Sequence, residues 1–117
     1  MENLSKQGHK ISDVRKGELW MAHDAKSGKF RPFLVLSEEL SGVDVDISIA
    51  PATSTAKRND FDVELIFWKK AGLSAPSIVR CSKVHYIHHS FLRRKIGNLD
   101  PKDMKCIDDA LRKFFGL

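Results

Sequence analysis

The chain has 117 residues, 42% hydrophobic and 30% charged, enough for one globular domain with a real core and too few for two. Twenty Lys and Arg against fifteen Asp and Glu leave a net charge of +5, compatible with a polyanion partner but too small to require one. No run of about 20 apolar residues is available to span a bilayer, so no membrane role is expected.

The opening MENLSKQGHKISDV is polar and reads as a loose arm over residues 1–14 rather than a signal peptide, with the domain over residues 15–117. GELWMAH, Gly17–His23, alternates as a first strand, Leu19 and Met21 on one face and Glu18, Trp20 and Ala22 on the other. DAKSGK is a turn-rich loop. Arg31 then stands directly before Pro32, which has no N–H for a sheet and holds the residue before it extended. Arg31 is thus fixed at the mouth of the strand PFLVLS, which is apolar enough to be covered on both faces. A guanidinium in that position is either a solvated charge or an anion clamp.

VDVDISIA turns Val43, Val45, Ile47 and Ile49 inward and Asp44, Asp46 and Ser48 outward, and Pro51 is expected to end it. FDVELIF, Phe61–Phe67, alternates again, and KKAGLSA connects it to Pro76. SIVRCSKVHYI is long enough for one kinked strand or two short ones, and LRRKIGNL suits a last strand. DPKDMKCIDDALRKFFGL has the signals of a helix. Asp100 is the candidate N-cap, Pro101 suits the first position, and Asp103 lies three residues past the cap. Met104, Ile107, Leu111 and Phe114 share one face, and Gly116 marks the stop. Many short strands before one helix argue for a mainly β fold, a small curved antiparallel sheet or barrel with a C-terminal helix on one side.

Three segments carry candidate chemistry. IAPATST offers the hydroxyls Thr53, Ser54 and Thr55 after a strand, either bonding local backbone in a turn or donating to an oxyanion. In IVRCS a period of two puts Ile78, Arg80, Ser82 and Val84 on one face and Val79, Cys81 and Lys83 on the other. Arg80 then either neutralises an internal carboxylate such as Asp62 or Glu64, or faces a cleft. His85, His88 and His89 lack the thiols or carboxylates that a metal site needs at useful spacing, so no metal and no cofactor are expected. Histidine still suits proton transfer near neutral pH. Cys81 and Cys106 form neither a disulfide framework nor a zinc-type pair, and both are expected to be reduced and structural, in a cytoplasmic protein.

In order along the chain, RKGELW, FRPFLVLS, IAPATS, PSIVRCSKVHYI and LRRKIGNLDPKDMKCIDDALRKFFGL resemble segments of the MazF/PemK/Kid family of toxin–antitoxin endoribonucleases. The resemblance implies an SH3-like barrel with a C-terminal helix, as in MazF and CcdB, and a homodimer that binds single-stranded RNA in a groove at its interface. It also implies a cognate antitoxin whose acidic, flexible tail occupies that groove. The implied reaction needs no metal: a ribose 2′-OH attacks the adjacent phosphate and leaves a 2′,3′-cyclic phosphate and a 5′-OH. By resemblance Arg31 stabilises the phosphorane, Thr53 holds the phosphate or the 2′-OH, and Arg80 also faces the phosphate. Lys29, Ser54, Ser82 and Lys83 would contact RNA.

Two departures bear on activity. Ser82-Lys83 stand where the PemK branch has Asp, often followed by Gln, so the carboxylate taken as general base is missing. The loop before Arg31 also lacks the Glu-Gln and the His of various relatives. Proton transfer then passes to His85, His23 or water, or the protein is a degenerate relative that binds RNA or antitoxin without cutting. A gyrase poison like CcdB is a further alternative, although such chains end Trp-Gly-Ile and this one ends Phe-Phe-Gly-Leu.

Overall fold

Short β-prone runs between turn formers become seven strands and a helix in the computed structural model, which describes residues 14–38 and 46–117. The strands are β1 (Glu18–Asp24), β2 (Lys29–Val35), β3 (Asp46–Thr53), β4 (Asp62–Glu64), β5 (Ile78–Arg80), β6 (His85–His88) and β7 (Leu92–Asn98), and α1 is Pro101–Phe115. They pair antiparallel in the order β4-β5-β3-β2-β1-β7, with β6 also on β3. The sheet is curved like a barrel but does not close, since β4 and β7 remain its two ends. Shifts of register between β1 and β7 at Leu19/Trp20 and Met21/Ala22 add bend at one end.

Alternation builds a core on each face. On one face Leu19, Leu34, Ala50 and Ala52 meet Val79, Leu65, Leu99 and Ile107 of α1. On the other, Trp20, Ala22, Phe33, Val35, Ile47 and Ile49 meet Leu92 and Val14, the last residue of the expected arm. The apolar PFLV run is therefore covered on both sides, as its composition requires. Among the described residues no helix is long and apolar enough to cross a membrane.

Three local expectations change. Pro51 does not end β3, which continues to Thr53 with Pro51 opposite Phe33. Pro51 sits where β3 exchanges β6, paired through Ile49, for β5, paired from Ala52, so a missing N–H interrupts little there. The strand read over Phe61–Phe67 is only Asp62–Glu64 and then turns. The alternation read over Ile78–Val84 breaks after Arg80 at a 3-10 turn, Cys81–Lys83, so the segment is two short strands. Asp103 lies in the first turn of the helix as expected, where it is buried and accepts from the amides of Ile66 (3.0 Å) and Phe67 (2.9 Å). Val43, Asp44 and Val45 lie outside the described residues.

The helix otherwise keeps its expected signals. Asp100 accepts from the Lys102 amide at 2.8 Å, and that bond holds its carboxyl below the usual carboxylate value. Gly116 takes the left-handed conformation, φ 74°, and returns its N–H to Arg112. Gly97 is required by contact instead: a Cβ there would lie 2.2 Å from the carbonyl oxygen of Ala71. Cys81 is buried, and burial, then Asp62 and Asp108, push its thiol up to about 12, so it packs as an apolar residue. Cys106 is exposed.

Removing the Asp103 carboxylate leaves two turn amides without a partner and unties α1 from the segment after β4. Asp103→Ala is expected to lower unfolding free energy by about 2–3 kcal/mol. Urea denaturation reads this, and a change within ~0.5 kcal/mol would show that water satisfies both amides.

Candidate functional site

The β2–β3 register fixes where Arg31 and Thr53 stand. Phe33 lies opposite Pro51, and by alternation Arg31, two residues before Phe33, and Thr53, two residues after Pro51, project from the same face as that pair. β5 extends this rim, because Thr53 pairs with Ile78 and Asp62 with Arg80. By alternation Arg80 projects from the same face as Thr53 and Arg31.

Arg31 is held from the β1–β2 turn. Its Nε donates to Ser27 Oγ at 3.1 Å and lies 3.4 Å from Asp24 Oδ2. The Asp24 carboxylate also accepts from Ser27 Oγ (3.0 Å) and from the Lys26 amide (3.2 Å). The Arg31 side chain is 43% exposed, and among the described residues nothing bonds its two Nη groups. They form a planar pair of donors open to an anion.

Arg80 is the opposite case. Only 7% exposed, it pairs with Asp62 Oδ2 and donates from Nη2 to Thr55 Oγ1 (2.6 Å) and to the Ala56 carbonyl (3.4 Å). Of the two arrangements open to it, the internal carboxylate is realised, in Asp62; Glu64 is exposed. Asp62 also accepts from the Arg58 amide at 2.7 Å, so a buried charge pair ties β4, β5 and the loop after β3 together. Asp62 Oδ1 has no hydrogen-bond partner among the described residues. Thr53 Oγ1 accepts from the Thr55 amide at 3.3 Å and lies 3.4 Å from Thr55 Oγ1.

The remaining candidates divide. Lys29 pairs with Asp24 at the start of β2, and Ser54 is exposed just past Thr53, so both flank the rim. Ser82, half-buried, and Lys83, exposed, lie in the 3-10 turn after Arg80. His23 pairs with Phe30 and projects from the face opposite to Arg31. His85 pairs with Ile49, four residues along β3 from Thr53, or roughly 13 Å of strand. Its Nδ1 lies 3.1 Å from the Lys83 carbonyl, so Nδ1 carries the proton, and its ring stands edge-on to Phe33 at 5.6 Å. Arg31, Thr53 and Arg80 therefore share one face of the sheet, while His23 lies on the other and His85 stands against Phe33.

Asp24 and Thr55 are groups beside the candidate site that the sequence did not single out for these roles. Asp24 sits in a turn where an Asp is ordinarily a backbone-bonding residue, and its link to Arg31 depends on the hairpin's closure. Asp62 was named in advance as one of two acids able to pair with Arg80, and it is the one that does. Lys29, Arg31, Lys57, Arg58 and Arg80 lie on these strands and the loop after β3, interspersed with Asp24, Asp60 and Asp62. Among the described residues no group of His, Cys, Asp or Glu gathers as metal ligands.

Comparison with known proteins follows the same lines. Residues 15–115 match the family described as the PemK-like, MazF-like toxin of type II toxin–antitoxin systems. A Mycolicibacterium smegmatis protein described as a probable endoribonuclease MazF is 28% identical over 111 residues, spanning 89% of this chain and 98% of that protein. The solved Mycobacterium tuberculosis toxin MazF-mt6 is 27% identical, with a TM-score of 0.71 over 86% of this chain and 97% of its own. A mycobacterial endoribonuclease solved with its cognate antitoxin shares the fold, with a TM-score of 0.72 and 19% identity over 89% of this chain and 96% of its own.

Breaking the buried pair from one side strands a charge. Asp62→Ala is expected to cost about 3–5 kcal/mol in chemical denaturation, and Asp62→Ala with Arg80→Met to recover much of that. A single variant as stable as the native chain would show that Arg80 swings out to water.

Proposed function

Since the chain belongs to the PemK-like, MazF-like family of toxins of type II toxin–antitoxin systems, we propose that it acts as a metal-independent endoribonuclease on single-stranded RNA, with mRNA as its cellular target and a short sequence as its cutting site. The observation that carries this reading is Arg31 on the same sheet face as Thr53, its two Nη groups open and a carboxylate 3.4 Å from its Nε. That arrangement supplies what transesterification at phosphorus asks for. The Arg31 fork takes the non-bridging oxygens as charge builds on the phosphorane, and Thr53 holds the phosphate in line. Asp24 accepts the proton of the 2′-OH as O2′ bonds to phosphorus. The P–O5′ bond breaks, and the 5′ oxygen leaves with a proton from water. The products are a 2′,3′-cyclic phosphate and a 5′-OH.

Arg80 contributes from beneath the rim. An arginine stays protonated at any working pH, so it adds fixed charge. Assigning the base to Asp24 removes the need for a carboxylate at position 82, where Ser82 cannot accept the proton. His23 projects from the other face and His85 stands against Phe33 with its Nδ1 on the Lys83 carbonyl, so Asp24 is the group beside Arg31 that this reading uses.

The acting unit in this reading is a cytoplasmic homodimer with RNA along a groove at its interface, controlled by an antitoxin whose acidic, flexible tail competes for the same basic rim. The net charge of +5 favours both partners, and a relative of the same fold was solved with its cognate antitoxin. The second reading is a relative that binds RNA or antitoxin without cutting, and Ser82 is the residue that favours it.

Purified protein incubated with a long single-stranded RNA in EDTA is expected to give discrete cuts ending in a 2′,3′-cyclic phosphate. Arg31→Ala should reduce cutting about a hundred- to thousandfold while leaving the melting curve unchanged. RNA that is bound but uncut would select the second reading. Asp24→Asn should lower the cleavage rate about a hundredfold with RNA affinity retained, and Ser82→Asp should bring no gain. A rise of tenfold or more with Ser82→Asp would show instead that proton abstraction is limited at position 82.

A further inference from the structure

Thr55 has no role in the reaction as read above, yet its hydroxyl is the exposed end of the buried charge system. Arg80 Nη2 donates to Thr55 Oγ1 at 2.6 Å, a charge-assisted bond shorter than a neutral one. Arg80 is itself fixed by Asp62, whose side chain is fully buried. A hydroxyl has one proton to give and two lone pairs to receive with. With a guanidinium donating into one lone pair, the Thr55 O–H becomes a stronger donor, since linked hydrogen bonds polarise one another. Thr53 Oγ1 approaches the same oxygen as a donor at 3.4 Å, at the limit of a hydrogen bond, so the Thr55 proton is not committed to it. Thr55 is exposed and lies two residues past Thr53, on the rim that carries Arg31.

We propose that Thr55 is a further catalytic residue, donating its hydroxyl proton as a hydrogen bond to a non-bridging oxygen of the scissile phosphate, and that Asp62 and Arg80 are the positioning residues that aim and polarise it. The proposal rests on reading the Arg31–Thr53 rim as the phosphate site. It also gives the buried Arg80 a way to act on a phosphate it does not reach: its charge arrives through one oxygen. No proton leaves Thr55, so the device needs no acceptor beyond the substrate.

The test compares Thr55→Val, which keeps the shape and loses the hydroxyl, with Thr55→Ser, which keeps the hydroxyl. Single-turnover cleavage in EDTA is expected to fall about ten- to hundredfold in Thr55→Val and to stay within about threefold of native in Thr55→Ser. Affinity for a 2′-O-methyl RNA, which cannot be cut, should change less than about threefold in both, because the bond strengthens only as charge develops. Equal rates in Thr55→Val and the native protein, or equal losses in both variants, would overturn the assignment. The Thr55 methyl resonance should also shift on adding the 2′-O-methyl RNA, and an unmoved resonance in protein saturated with RNA overturns it as well. That second readout does not need the native protein to cut. A native protein that cuts nothing therefore defeats the ribonuclease reading while the contact is still decided by the resonance.

Discussion

The Asp62–Arg80 pair is the constraint on which the rim depends. Two opposite charges buried together are weak net stabilisers, because the cost of desolvating them nearly cancels their attraction. What such a pair does supply is position. Arg80 ends β5 and Asp62 begins β4, and the same carboxylate takes the Arg58 amide. The chain returning from β3 is thereby drawn over the guanidinium, which in turn holds Thr55 and the Ala56 carbonyl. A neutral filling of the same volume would pack as well and would leave the loop after Thr53 with no fixed point.

The second anchor acts in the same way at a distance. Asp103 belongs to α1 yet satisfies the amides of Ile66 and Phe67, just past β4. Ile107, one turn further along, enters the core beside Leu65 and Val79. The helix is therefore fastened to the β4–β5 end of the sheet by one carboxylate and one apolar side chain. At the far end Glu18 is buried, and burial alone would push its carboxyl up. Hydrogen bonds from Trp20 and the Arg15 amide, with the Lys95 ammonium, outweigh that and leave it below the usual value. Such a group stabilises the fold above its unfolded titration and loses that contribution as pH falls through the folded value. Three buried acids, each with its own donors, thus fix the ends and corners of a sheet that does not close on itself.

Periodicity made most of this architecture legible. The alternation in ELWMAHD and the run PFLV gave strands whose two faces are both covered, and the cap Asp100, Pro101 and Gly116 bound the helix as written. What local pattern could not provide were the choices made by register. Pro51 looked like a stop because a proline in a central strand loses a ladder bond, but β3 changes neighbours there. Asp103 is the first-turn residue that its spacing from Asp100 indicates, but its partners, the amides of Ile66 and Phe67, are set by tertiary packing. Arg31, Thr53 and Arg80 could be named in advance, by resemblance. That they share one face, with His23 on the other and His85 against Phe33, follows only from pairings between distant segments.

The placement of acids around the two arginines bears on how the missing carboxylate at position 82 is to be understood. Each arginine has an acid of its own, Asp24 beside Arg31 and Asp62 beside Arg80, and the two differ in exposure. The Asp62 side chain is fully buried and can only position, whereas the Asp24 side chain, 25% exposed, can meet a substrate. Ser82 lies past Arg80 in the 3-10 turn, after the alternation has broken, so its place in the sequence does not by itself set it beside the guanidinium that Asp62 and Thr55 hold.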